Sequence, residues 1–268
     1  MSVSAPREAG GGQGYRVRNS TADRALDILL LFDDERLTLS ASEVTKHFGV
    51  ARSTAYRYLE SLTSNGFLEE NQTGSGFRLG PRVLELARLA RKGIGLSELA
   101  KPIMRELVER TGAPALLTRR TGSAVVCLER QEAGQALRLS YERGQVLPIN
   151  AGAAALALLA WVPDDELDDL LAGPLTRFTD ATHADPDKLR KHLADIRHHG
   201  YAVSRGELDP DVLGVAAPVR DADGRVTCAI SIATLSHRVP DATIDQYVTP
   251  VLEAAGQLAD QARLRNIA

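Results

Sequence analysis

A short polar segment, Arg52-Ser53-Thr54-Ala55-Tyr56-Arg57, carries side chains that can bond nucleic acid. Arginine can donate two hydrogen bonds to the O6 and N7 atoms of guanine, and serine and threonine can bond phosphates or base edges. The N-terminus of a helix also favours a phosphate. In the first two turns of a helix docked in the major groove, these side chains would meet DNA. Taken one at a time, Arg52 and Arg57 are more simply explained as solvated residues on a surface helix.

The residues around this segment predict two helices joined by a tight turn. Ser40 followed three residues later by Glu43 is a capping box, so a helix is expected to begin at Ser40. Gly49 suits the left-handed position that follows such a helix. A second helix is expected over residues 52–65. Its buried stripe would comprise Ala55, Leu59 and Leu62, which leaves Arg52, Ser53, Tyr56 and Arg57 on the opposite face.

The flanking segments predict one more helix and a wing. The first helix is expected from about Ser20, and its apolar face would comprise Ala22, Ala25, Leu26, Leu29 and Leu30. Residues 67–70 and 77–79 are typical of two short strands, and Arg78 beside them could contact a DNA backbone. Three helices and a hairpin form a winged helix-turn-helix, so residues 19–80 are predicted to bind double-stranded DNA behind a disordered tail, residues 1–18. If the outward face of the third helix were apolar or acidic, it would instead indicate a protein partner. Arg52 and Arg57 on that face argue against a protein partner.

The remaining chain predicts a linker and a second domain. Pro81 favours a helix start, and residues 81–95 are expected to form a linker helix. Residues 96–268 mix strands and helices, with a strand predicted at residues 137–141 and a final helix at about residues 241–265. Strands packed by segregated helices predict an α+β fold.

Composition narrows the class of protein. The 268 residues are 44% hydrophobic and 25% charged, as in globular proteins. No apolar run approaches the ~20 residues of a membrane-spanning helix, and no export signal is evident, so a cytoplasmic protein without membrane contact is expected. Residues 15–92 carry a net charge of +2 and residues 93–268 a net charge of −5, which suits a DNA-binding module joined to a non-binding domain. The usual phosphate-loop, nucleophile-elbow and zinc-protease motifs are absent, so no enzyme, cofactor or metal is predicted.

The cysteines and histidines are expected to be structural. Cys127 and Cys228 lie in predicted strands and should be small buried apolar residues, with a shared metal or redox role as the alternative. His192, His198 and His199 lie on a polar helix and are predicted to form a solvated face rather than a metal site.

Seven segments in combination resemble the IclR family of bacterial transcription regulators. They are RALDILLLF, LTLSASEVTKHFGVARSTAYRYLESLTSNGFL and FRLGPRVLEL, followed by GQVLPINAGAAALALLAW, IRHHGYAVSRGEL, VAAPVRDADGRV and AISIA. The resemblance covers about residues 19–262. It implies a winged helix, a linker helix and a GAF-like effector-binding domain. It further implies a regulator, expected here to be a repressor, that forms dimers or dimers of dimers on palindromic operators and responds to a small organic acid.

The resemblance also implies an effector site. Its residues are Asn150, Gly152, Ala153, Ala154, Ser204, Arg205, Gly214, Ser231 and Ala233. Asn150 stands where the family often has His, Gly152 where Ser or Thr is usual, and Ser204-Arg205 where an acidic residue is common. Backbone amides near Ala153 and Ala154 could still bind a carboxylate. These departures imply no particular effector.

The roles of Ser231 and Arg205 in this effector site each have an alternative. Ser231 alternates with Ile230 and Ile232 and therefore faces the other side of its strand, where it could bond a ligand or only the backbone. Arg205 could pair with a ligand carboxylate or with Glu207. An effector is hypothesised to shift the linker helix and thereby the spacing of two recognition helices.

Overall fold

A computed structural model describes residues 21–33, 35–71, 76–134 and 142–265, with the backbone alone for residues 91–94. The chain divides into two compact units, Met1–Arg88 and Leu89–Ala268. Helix α4 (Pro81–Ile94) contains the boundary between them. The predicted tail and the predicted strand at residues 137–141 lie outside the described residues.

The first unit contains helices packed with a two-stranded antiparallel hairpin. Its elements, besides the first part of α4, are α1 (Thr21–Leu29), α2 (Ala41–Phe48), α3 (Arg52–Ser64), β1 (Leu68–Glu70) and β2 (Phe77–Leu79). The predicted capping box is confirmed, because the Glu43 N–H donates to Ser40 Oγ at 3.2 Å and the Ser40 N–H donates to the Glu43 carboxylate at 2.7 Å. Gly49 ends α2 in the left-handed conformation, with φ at 62°. The capping box and the Gly49 turn thus set the boundaries of α2 within the winged helix-turn-helix.

The core of this unit differs from the prediction on α1. The stripe of Ala55, Leu59 and Leu62 on α3 is buried as predicted, and Tyr58 joins it. On α1 the buried residue is Ile28, whereas Leu26 and Leu30 are 58% and 81% exposed. The predicted apolar face is therefore confirmed for Ala25 and Leu29, which pack against this core, and was wrong for Ala22, Leu26 and Leu30, which are exposed. Ile28 is the buried residue of the helix, and Leu30 lies after its end.

The second unit is an antiparallel sheet with helices on both faces. Its strands, in the order in which they pair, are β5 (Val146–Leu147), β4 (Ala124–Gln131), β3 (Ala115–Thr121), β8 (Val226–Leu235), β7 (Val212–Arg220) and β6 (Ala202–Arg205). Helices α5 (Leu96–Thr111) and α9 (Asp245–Leu264) share one core with the sheet. Helices α6 (Ala153–Leu159), α7 (Asp164–Leu171) and α8 (Pro186–His199) share the other. This arrangement confirms the α+β, GAF-like fold.

One helix boundary differs from the prediction. Helix α5 contains the exposed Pro102 within its continuous range. The last helix begins at Asp245 instead of about residue 241, because Asp241–Thr243 form a separate 3-10 turn after Pro240.

Candidate DNA-binding surface and effector cavity

Helix α3 presents polar side chains on the face opposite its buried stripe. Arg52, Ser53, Tyr56 and Arg57 are exposed, and Thr54 is half-buried. The residue before the helix, Ala51, has no side chain that could cap it. The first N–H groups of α3 therefore remain open to an anionic group such as a phosphate.

The two arginines of α3 differ in how they are held. The Arg52 guanidinium donates to the Tyr56 hydroxyl at 3.4 Å and lies 5.5 Å from the centre of that ring. Arg57 lies 5.9 Å from the ring centre of Tyr58, and no acidic side chain pairs with it in the described part of the chain. Arg57 is therefore the arginine freer to bind an external acceptor.

Arg78 on the hairpin is already paired. It lies opposite Glu69 in the β1–β2 register, and its Nε donates to the Glu69 carboxylate at 2.7 Å. Both side chains are about half exposed, so the pair can open at small cost. To contact a phosphate, Arg78 would have to break its ion pair with Glu69 or bond both groups at once.

A cleft of about 490 Å³ lies where α2, α3 and the hairpin meet. Its lining comprises Ser40, Ala41, Ser42, Thr45, Arg52, Tyr56, Glu70, Gly76 and Phe77. Ser42 and Thr45 are polar residues that were not predicted to contact DNA. Their i, i+3 spacing on α2 was the available signal, because such residues share a helix face. They extend the polar surface beyond α3.

A second concavity, of about 60 Å³, lies beside the start of α6 and strands β6, β7 and β8. It is lined by predicted effector residues, namely Gly152, Ala153, Ala154, Ser204, Gly214, Ser231 and Ala233. Its other walls include Leu116, Leu208 and Asp209. A Cβ on Gly214 would lie 3.1 Å from the Ala153 Cβ, so this glycine lets the start of α6 approach the sheet closely.

The polar groups around this cavity are few. Ser231 Oγ is buried and has no hydrogen-bond partner among the described residues. The Gly152 N–H, at the start of α6, donates to Glu207 Oε2 at 3.1 Å. A carboxylate of the chain itself thus occupies part of the backbone-amide site that was predicted for an effector. Burial raises the pKa of Glu207 above its ordinary value of 4.5.

Asn150 and Arg205 do not line this cavity. The Asn150 amide donates to the Thr176 carbonyl at 2.9 Å and fastens a loop. Arg205 pairs with Asp241 at 2.7 Å, which is neither of the partners considered from the sequence. Since successive residues of a strand point to opposite faces, Ser204 reaches the cavity and Arg205 cannot.

The two cysteines are buried as predicted, whereas one of the three histidines predicted to be solvated is not. Cys127 and Cys228 are 1% and 0% exposed, and burial raises the pKa of their thiols to about 11 and about 12. His198 and His199 are exposed, as predicted. His192 is half-buried and stacks on His183 with ring centres 4.5 Å apart. The prediction of a solvated histidine face was wrong for His192, because the loop before α8 places His183 against it.

The two units together define a class of protein. A winged helix-turn-helix with an exposed arginine-bearing helix is joined to an α+β unit that holds a cavity, which is the architecture of a ligand-responsive, DNA-binding transcription regulator. Residues 21–72 match the IclR helix-turn-helix domain model, and residues 89–260 match the C-terminal domain model of the bacterial transcriptional regulator IclR. The chain belongs to the IclR family.

Individual relatives agree with this assignment. The transcriptional regulator XynR of Escherichia coli K12 is 34% identical over 229 residues, which span 85% of this chain and 90% of XynR. An IclR-type structure from Silicibacter sp. TM1040 superposes with a TM-score of 0.83 at 29% identity, covering 90% of this chain and 96% of that one. These proteins are transcription regulators and not enzymes. No helix in the described part of this chain is long and apolar enough to cross a membrane.

One solved relative contains a ligand. An IclR homolog from Microbacterium hydrocarbonoxydans was crystallised in complex with 4-hydroxybenzoate. Its structure superposes with a TM-score of 0.77 at 28% identity, covering 91% of this chain and all of that one. A member of the family with this fold therefore binds a small aromatic acid.

Proposed function

We propose that this chain is a repressor that binds a palindromic operator as a dimer, or as a dimer of dimers, and responds to a small carboxylic acid. Residues 19–80 would bind DNA, residues 81–95 would link the domains, and residues 96–268 would bind the effector. The exposed polar face of α3, which follows a capped α2 and the Gly49 turn, carries the proposal. A regulator of this kind acts on the chromosome, and hence in the cytoplasm.

The DNA contacts follow from the side chains that α3 presents. Arg57 reads a base edge or binds a phosphate, and Ser53 and Thr54 bind the backbone near the helix start. Tyr56 holds Arg52 by a hydrogen bond and thereby directs its guanidinium. Arg78 on the hairpin adds a phosphate contact once it leaves Glu69.

Exposed leucines support self-association. Those on or next to α1 and on α4 are Leu26, Leu30, Leu84, Leu86 and Leu89, and each is at least 44% exposed. Large apolar side chains in water favour burial against a partner. Light scattering should give the mass of a dimer or tetramer, and Leu84→Asp should reduce that mass. A monomer at micromolar concentration would contradict the dimer.

Sequence-specific binding can be tested before the operator is identified. The full-length protein is used to select duplexes from a random library, and the enriched sequences are compared with scrambled ones by fluorescence anisotropy. We expect inverted half-sites whose centres lie about one helical turn, or a multiple of it, apart. A library that shows no enrichment would refute operator recognition.

The cavity limits the size of the effector. Its volume of about 60 Å³ exceeds the roughly 10–15 Å³ that a cavity needs to hold one water molecule. A two- or three-carbon acid matches this space, whereas 4-hydroxybenzoate requires the walls to move. Ser231 Oγ would bond the ligand, because it has no partner in the described chain.

A graded ligand series tests this proposal. Acetate, glyoxylate, pyruvate and 4-hydroxybenzoate are compared by thermal shift on wild type, on Ser231→Ala and on Ser123→Ala, whose exposed serine serves as the matched control. We expect the smaller acids to raise the Tm of wild type and of the control but not of Ser231→Ala. A shift that Ser231→Ala leaves unchanged would place the effector elsewhere.

Regulation requires that the effector distinguish two states of the dimer. A ligand with equal affinity for both states cannot change operator affinity. We therefore expect a small acid that raises the Tm to change operator affinity as well. Deletion of the gene should raise expression from the selected operator, and a fall in expression would indicate an activator.

A further inference from the structure

Three metal-binding side chains meet beside the cavity, although the sequence separates them. His183 lies in the loop before α8, His192 lies on α8, and Glu207 follows β6. Each offers a ligand atom, and these atoms lie within 4.8 Å of one another. His183 Nε2 is 3.7 Å from Glu207 Oε1, and the two imidazole rings stack at an angle of 28°.

We propose that His183, His192 and Glu207 bind one divalent transition-metal ion of the zinc class, with water in the fourth position. Two imidazole nitrogens and one carboxylate oxygen are a common three-ligand set for Zn²⁺. Ligand atoms around a tetrahedral zinc are separated by roughly 3.3 Å, given metal–ligand bonds of ~2.0 Å. The three groups therefore need to close by at most about 1.5 Å, a distance that small side-chain rotations cover.

The carboxylate is already oriented toward the histidines. Glu207 Oε2 accepts the Gly152 N–H at 3.1 Å, while Oε1 lies nearer His183. Metal sites commonly use such a second hydrogen bond to hold a ligand in place. Glu207 is 4% exposed, so a neighbouring cation would compensate the cost of burying its charge.

The loop that carries His183 is fastened to the strand end that carries Glu207. Thr182 Oγ donates to the Glu207 carbonyl, and Thr179 Oγ donates to the Gly206 carbonyl, both at 2.6 Å. These two bonds hold the backbone on either side of the cluster. The site is thus built on restrained backbone rather than on a freely moving loop.

His192 supplies the strongest indication of a missing partner. Its Nε2 is buried and has no hydrogen-bond partner among the described residues. A buried nitrogen without a partner is costly, and a metal ion would satisfy it. Burial and the neighbouring His183 lower the pKa of His192, which favours the neutral imidazole that binds metal. The side chain of His183 is 30% exposed, which leaves a path for an ion and a water ligand.

The position of Glu207 connects this site to the effector cavity. Gly152 lines that cavity and donates to the same carboxylate. A metal ion would keep Glu207 ionised and so maintain the bond that fixes the start of α6. Metal binding itself requires neither DNA nor an effector, so it can be tested independently of the proposed regulator function.

The test uses tag-free, full-length protein treated with a chelator. Zn²⁺ affinity is measured by competition with a chromophoric chelator, and Co²⁺ is added separately to record the visible absorption bands of tetrahedral coordination. We expect one ion per chain. His192→Ala and Glu207→Gln should each weaken Zn²⁺ binding by at least about tenfold, and the glutamine variant keeps an oxygen that can accept the Gly152 N–H.

His198→Ala is the matched control, because His198 lies on the same helix and is exposed. It should bind Zn²⁺ and Co²⁺ as wild type does. Three results would overturn the proposal: no stoichiometric ion, unchanged affinity in both His192→Ala and Glu207→Gln, or an equal loss in His198→Ala. Circular dichroism confirms that the variants remain folded, and Glu207→Gln decides the question if His192→Ala does not fold.

Discussion

Replacement of Arg57 by alanine isolates the side chain best placed to read DNA. Arg57 is exposed on α3, and its guanidinium lies near only the ring of Tyr58, at 5.9 Å. Its removal therefore breaks no ion pair within the described chain and creates no cavity. The expected loss is confined to the protein–DNA contact, with stability unchanged to within about 0.5 kcal/mol.

The size of the loss depends on what Arg57 contacts. A bidentate bond to guanine contributes about 1–3 kcal/mol of discrimination, which corresponds to a roughly 5- to 150-fold loss of affinity for the selected operator. If Arg57 contacts a phosphate, Arg57→Ala would weaken binding to all duplexes. It would also lower by about one the number of counterions released on binding, which is measured as the slope of log K against log salt concentration. Arg52→Ala should lower DNA affinity less, because the Arg52 guanidinium already donates a hydrogen bond to the Tyr56 hydroxyl.

The assay is fluorescence anisotropy on the selected operator and on a scrambled duplex at several salt concentrations. Arg105→Ala is the control, since Arg105 is exposed on α5 in the other unit and removes the same charge. Operator affinity should fall for Arg57→Ala and stay near wild type for the control. Equal affinities of Arg57→Ala and wild type for both duplexes would refute the role of α3 as the recognition helix.

Three further predictions concern stability and charge. Glu69→Gln frees Arg78 and removes a negative charge, so DNA affinity should rise by up to about fivefold; a decrease in anisotropy measurements would contradict this. Ser40→Ala should lower the free energy of unfolding by about 1 kcal/mol in urea. The Ser40 backbone N–H lowers the pKa of Glu43 below 4.5. The stabilisation that ionised Glu43 gives the capping box is therefore present above pH 4.5 and is lost as the pH falls through the lowered pKa. Glu43→Gln should remove this dependence of the unfolding free energy on acid pH. Met104→Ala, at a fully buried position, should cost about 2–5 kcal/mol and lower the Tm measured by calorimetry.

The DNA-binding unit could be predicted closely because its signals are local. The capping box of Ser40 and Glu43 spans four residues, and Gly49 ends the same helix. The stripe on α3 repeats at helical spacing within a single element. Such patterns act over one or two turns, so they do not depend on the remaining fold. The exposed Leu26 and Leu30 show the limit, because the side of a short helix that is buried depends on its neighbour.

The proposed effector site was predictable only in part. The alternation of β8 correctly placed Ser231 on the face opposite Ile230, and the cavity lies on that face. Arg205 was not predictable, because its partner Asp241 follows a different strand. Asn150 likewise bonds a carbonyl 26 residues away. Long-range partners depend on chain paths that no local period encodes.

The amino-acid sequence by itself determined the helices, the turn and the polar face of α3 that is proposed to bind DNA, since propensity, capping and periodicity act between near neighbours. Only the tertiary structure decided which polar groups share a cavity and which are already satisfied. It brought His183, His192 and Glu207 within 4.8 Å of one another and left Ser231 without a partner in the described chain. These contacts arise from the packing of α6, α8 and the sheet, where burial and distance, rather than residue type, set the chemistry of each side chain.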